Sequence, residues 1–177
     1  MSKVSSILGS QPTNGKVSIG DKAPDFTLPD QSNHPIHFAD LIGKGVTVLY
    51  FYPWDFTPGC TTEACAFRDS YEAFKDAGAT VVGVSADSPE SHQDFATRYA
   101  LPFVLLSDRR GDVQKAYGLH KTFGLIPERV TFVIDRQGVV RHIFSSQRNA
   151  ERHVSEALKV IHSLSADPSG QSVSTMS

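Results

Sequence analysis

The chain has 177 residues, 40% of them hydrophobic and 20% charged, with a formal net charge of −2. That length suits a single domain with a sizeable core, and the near-neutral charge gives no reason to expect nucleic acid or an acidic membrane surface as a partner. No apolar run approaches the ~18 residues that span a bilayer. Residues 1–16 carry neither an apolar signal core nor the arginines of a transit peptide, so a cytoplasmic location is expected.

In chain order, residues 1–16 are polar and read as a flexible arm. Ala23 to Leu28 reads as extended, kept from a sheet centre by Pro24 and Pro29. Ile36-His37-Phe38 is a short strand, and Ala39 to Ile42 a helical turn stopped by Gly43. Val46 to Tyr52 is a continuous apolar, β-branched and aromatic run, the pattern of a buried strand. One long helix follows to a C-cap near Gly78. Thr80 to Ser85 is a second buried strand, and Ser88-Pro89 opens a helix that runs through Tyr99. Val104 to Leu106 is a short strand, and Asp112 to Tyr117 a brief helix closed by Gly118. Val130 to Ile134 and Val139 to Phe144 flank Asp135-Arg136-Gln137-Gly138 as a hairpin, and Asn149 to Leu164 forms the closing helix. The 165–177 tail is Ser/Pro/Gly-rich and reads as flexible. Alternating strands and helices ending in a hairpin and helix give an α/β layered domain over 17–164.

Both cysteines lie where the first buried strand gives way to the long helix. Thr57 is a good N-cap, Pro58 fits the first helical position, and Cys60 falls third. The partial positive charge and free N–H groups of a helix start favour a thiolate there, hence a nucleophile. Ala64, Phe67, Tyr71 and Phe74 share the phase of Cys60, whereas Cys65 lines up with Arg68, Asp69, Glu72 and Asp76. Helix geometry separates the two Cα atoms by roughly 8.7 Å, beyond the roughly 7 Å that a disulfide tolerates. The arrangement suits an attacking and a resolving thiol that are held apart and meet after local unwinding. Two cysteines at such a spacing also fit a reducing compartment with a transient disulfide.

Pro53-x3-Thr57-x2-Cys60, with Cys65 five positions on and Phe67-Arg68-Asp69 after it, resembles the active-site signature of peroxiredoxins. Within them it is similar to the bacterioferritin comigratory protein/peroxiredoxin Q subfamily, over most of the chain from Gly20 to near Leu164. The resemblance implies a thioredoxin-like fold with an N-terminal extension and a central mixed sheet flanked by helices. It implies that Cys60 is the peroxidatic thiol and Cys65 the resolving one. It further implies that the Thr57 hydroxyl contacts thiolate and peroxide oxygens, that Pro53 shields the site from water, and that Arg129 supplies the fixed cation. A guanidinium suits that task because it donates several hydrogen bonds to developing negative charge. Arg68, Arg98, Arg109 and Arg110 are competitors for the role.

The expected activity is reduction of hydrogen peroxide and alkyl hydroperoxides, with recycling by thioredoxin or a glutaredoxin-type reductant. A monomer without nucleic-acid or membrane partners is expected. No cofactor is implied. The seven histidines show no metal-ligand spacing with the cysteines, and no Gly-rich phosphate loop is present. Glu63 either tunes the thiol or merely complements the helix dipole. A redox sensor or thiol-dependent holdase without turnover is the alternative. A disulfide oxidoreductase would normally use C-x-x-C.

Overall fold

Strand β3 (Val46–Phe51) is the spine of the molecule, with five of its six residues buried. Before it come β1 (Thr27–Pro29), β2 (Pro35–His37) and the short helix α1 (Phe38–Ile42). After it follow α2 (Pro58–Asp69), α3 (Tyr71–Asp76), β4 (Ala79–Ser85), α4 (Pro89–Tyr99), β5 (Val104–Ser107) and α5 (Asp112–Ala116). The chain then forms β6 (Lys121–Thr122), β7 (Ile126–Pro127), β8 (Val130–Ile134), β9 (Val140–Ser145) and α6 (Ala150–Ala166). The computed structural model describes residues 15–166.

The central sheet runs β5-β4-β3-β8-β9. β3, β4 and β5 are parallel, while β8 lies antiparallel to β3 and β9 antiparallel to β8. Helices cover both faces, which explains the uninterrupted apolar run of β3. Val48 and Tyr50 point into the core shared with Phe67, Phe74, Phe95, Val154 and Ile161. Leu49 and Phe51 point into the opposite core, with Val82, Leu106, Tyr117 and Phe132. The expected α/β fold with a mixed central sheet is the one observed.

Three expectations need adjustment. The single long helix is two, joined at Ser70 (φ −98°, ψ 5°), which ends α2 and precedes α3. Serine competes with the helical backbone for hydrogen bonds and so favours such junctions. The apolar period runs through the joint because Phe67 and Phe74 still pack together, ring centroids 5.7 Å apart. A small hairpin, β6–β7, was not expected. Its apolar Phe123, Leu125 and Ile126 are exposed, so these residues set no inward-facing period. Finally, α6 continues two residues past Leu164.

The arms expected at 1–16 and 165–177 fall mostly outside the described residues. Next to the first of them, Val17 is already buried at 2% exposure. No helix among the described residues is long and apolar enough to cross a membrane.

Candidate active site

The site forms where β3 ends. The Tyr52 N–H still donates to the Val84 carbonyl (3.1 Å), Pro53 is buried, and the chain turns through Phe56 in the left-handed region (φ +63°). Thr57 takes extended backbone angles as N-cap, Pro58 opens α2, and Cys60 is third in the helix, at 1% exposure. The Thr57 side chain departs from the expected cap: its hydroxyl donates to the Trp54 carbonyl (3.0 Å), and no side-chain cap bond forms. The uncapped N–H groups of the first turn are thereby left for an anion at the helix start.

Arg129 immediately precedes β8, whose Val130 pairs with Phe51 at the end of β3. That register brings the arginine to the loop between β3 and α2. Its Nη2 donates to Cys60 Sγ (3.3 Å) and its Nη1 to Glu63 Oε1 (2.9 Å). Burial works against the charged guanidinium, but Glu63 and Cys60 beside it more than offset this and keep it charged. A side chain at residue 59 would obstruct the reach, since a Cβ on Gly59 would lie 2.9 Å from Nη2. Of the competing arginines, Arg68 donates to the Tyr99 carbonyl and pairs with Asp69, and Arg98 lies over the Tyr99 ring. Arg109 and Arg110 line a separate cavity with Asp25 and Asp108.

Glu63 is fully buried on the same helix face as Cys60. Burial pushes its carboxyl up to about 8, against the pull of Arg129. Behind it stands His153 of α6, also buried, which burial pushes down to about 4.

A second buried network fixes the loop between β3 and α2. The Asp55 carboxylate accepts hydrogen bonds from Tyr52 Oη (2.6 Å), Ser91 Oγ (2.8 Å) and His92 Nδ1 (2.8 Å). His92 Nε2 donates to the Leu106 carbonyl (3.1 Å). The Asp55 carboxylate and the Leu106 carbonyl are both acceptors, an arrangement that suits a ring donating from both nitrogens. Asp55, Asp87 and His92 are the one group of described residues whose ligand atoms approach as a metal site would require. Those atoms are already bonded to one another and to neighbouring groups, since Asp87 Oδ2 accepts from the Asp55 N–H and Ser85 Oγ. Sequence reasoning passed over His92 and His153 because their partners lie far along the chain, and no local spacing signals them.

Cys65 is half-buried and, like Cys60, free. Both sit within the unbroken α2, where helix geometry keeps their Cα atoms roughly 8.7 Å apart.

A model of the AhpC/TSA family matches residues 19–143. The chain belongs to this family. It resembles chloroplastic peroxiredoxin Q of Sedum lineare, at 52% identity over 84% of this chain and 80% of that one. Arabidopsis thaliana chloroplastic peroxiredoxin Q is 52% identical over 82% of this chain and 68% of its own. Among solved structures, peroxidoxin BcpB from Mycobacterium tuberculosis superposes with a TM-score of 0.79 at 36% identity, covering 84% of this chain and 98% of that one. A cysteine-to-serine mutant of Xylella fastidiosa PrxQ gives 0.76 at 30% identity, covering 83% and 96%. This peroxiredoxin is a thiol peroxidase with a thioredoxin-like fold, acting on peroxide at the expense of a thiol reductant. Its relatives correct one expectation. Those from Sedum, rice, wheat and Arabidopsis are chloroplastic, which overturns the cytoplasmic placement. That placement rested on what the first residues lack, and such an absence carries little information about compartment.

Proposed function

We propose that the Cys60 thiolate attacks the terminal oxygen of hydrogen peroxide or an alkyl hydroperoxide. The O–O bond breaks, the thiolate becomes a sulfenic acid, and the departing oxygen takes a proton to leave as water or alcohol. Arg129 stabilises the charge on that oxygen, with help from the first-turn N–H groups and from the Thr57 hydroxyl once it turns from the Trp54 carbonyl toward the peroxide, while Pro53 keeps water from the thiolate. The Cys65 thiol then condenses with the sulfenic acid, releasing water and forming an intramolecular disulfide. A thioredoxin-type dithiol reduces that bond and is itself oxidised. The observation that supports this reading best is the buried contact of Arg129 Nη2 with Cys60 Sγ at the start of α2. A plastid is the compartment favoured by the relatives.

Peroxide consumption coupled to thioredoxin and its reductase tests the scheme. Cys60→Ser should abolish turnover and leave the fold intact, and Cys65→Ser should stop at the sulfenic acid. Wild-type protein that consumes a single equivalent and then stops, with reductant present, would be a sensor and not an enzyme cycling through this disulfide.

A further inference from the structure

Glu63 is a buried titratable group that no step above employs. Its Oε1 accepts from Arg129, whereas its Oε2 has no hydrogen-bond donor and faces His153 Nδ1 at 3.5 Å. The far side of the ring decides what that nitrogen is. His153 Nε2 lies 2.9 Å from the Ser146 carbonyl, which only accepts, so Nε2 carries a proton. The Thr131 hydroxyl lies 2.8 Å from Nδ1, and in the neutral ring with its proton on Nε2 it donates to the one lone pair of that nitrogen, so Nδ1 has no proton to give Oε2. A charged carboxylate oxygen buried without a donor is costly, whereas a protonated one there carries no charge. Burial acts in the same sense on both groups, raising Glu63 to about 8 and lowering His153 to about 4.

We infer that Glu63 stands as a neutral carboxylic acid, its proton on the donor-less Oε2, and that this proton leaves the charge of Arg129 to the Cys60 thiolate. One guanidinium faces two groups able to carry negative charge. With Glu63 neutral, cation and thiolate balance. With Glu63 ionised, two anions compete for one buried cation, and the thiolate and the developing oxyanion both lose support. Glu63 is thus a tuning residue that acts through Arg129 without touching peroxide.

The sign follows. A carboxyl raised above its ordinary range stays protonated across neutrality and loses its proton as pH rises past about 8. Peroxide attack should therefore fall on the alkaline side. The groups facing Glu63 are Cys60 on α2, Tyr50 from β3, Arg129 and Thr131 at β8, and His153 from α6. Tyr50 is held protonated by burial and His153 is neutral, so neither adds charge in that window.

The inference rests on the peroxidase reading for its rate effect but not for the proton itself. Infrared difference spectra of Glu63→Gln against the parent should show the carbonyl stretch of one protonated carboxyl at neutral pH, also on a Cys60→Ser background. Stopped-flow oxidation of the wild type should fall past the Glu63 titration by up to about tenfold per pH unit. Glu63→Gln, neutral at every pH, should lack that fall. His153→Leu should move it to lower pH, because Thr131 is freed to donate to the carboxylate. Absence of the carboxyl band, or a Glu63→Gln variant with the wild-type alkaline fall, would overturn the inference. A band present with no peroxide reaction at all would sink the peroxidase reading and the charge allocation, but leave the proton in place.

Discussion

Replacing Arg129 by alanine removes two contacts at once, the 3.3 Å bond to Cys60 Sγ and the 2.9 Å bond to Glu63 Oε1. Loss of one positioned donor at developing oxyanion charge costs about 2.7–4 kcal/mol, or roughly 10²–10³ in rate. The stability cost depends on Glu63. An ionised carboxylate stranded in the core would cost about 3–5 kcal/mol. A neutral acid losing a bond to a charged donor costs nearer ~1.5–3 kcal/mol, and the structure favours that lower range. Arg129→Lys should recover only part of the rate, because an ammonium is a point charge and cannot span both partners as the planar fork does. The single tryptophan, Trp54, lies half-exposed on the loop leading to Cys60 and offers a fluorescence signal for the first oxidation step in stopped flow. Arg129→Ala oxidation within a few-fold of wild type, at matched pH, would refute the assignment of the fixed cation.

Two further outcomes are expected. One equivalent of peroxide should produce a small, reversible loss of helix by circular dichroism, with faster hydrogen exchange confined to Cys60–Phe67, and Cys65→Ser should abolish both changes. An oxidised protein with α2 fully protected would mean that another molecule resolves the sulfenic acid. His92→Phe leaves the buried Asp55 carboxylate without its cation, at a cost of about 3–5 kcal/mol. At about 2–4 °C per kcal/mol for a domain of this size, the melting temperature should drop by at least roughly 6 °C. A smaller drop would argue against an ionised pair.

The parts of the site that the sequence made legible are those fixed by local rules. Thr57-Pro58 marks a helix start, so Cys60 could be placed in the first turn, and the apolar phase of Ala64 and Phe67 told which side of α2 faces inward. Arg129 was reachable only through the family resemblance, because what brings it to the thiol is the pairing of β8 with β3. The histidines were opaque for the same reason. His92 gains its meaning from Asp55 and Leu106, and His153 from Glu63, Thr131 and Ser146, all contacts made across the fold. Thr57 shows the opposite failure: the position was right, yet the hydroxyl turned to the Trp54 carbonyl, a choice that only the loop geometry makes.

The joint at Ser70 bears on endurance. On the cycle proposed above, the protein comes partly undone at every turnover and risks spreading the damage, since a continuous helix melts cooperatively from its frayed end. Here the segment that opens has a built-in far boundary. α3 begins afresh beyond Ser70 and keeps Phe74 seated in the core, so α2 can be unwound and rewound like a perforated strip. If the proposed cycle holds, repeated oxidation should fatigue the dozen residues of α2 more than the helix beyond Ser70, which would let the protein survive many cycles.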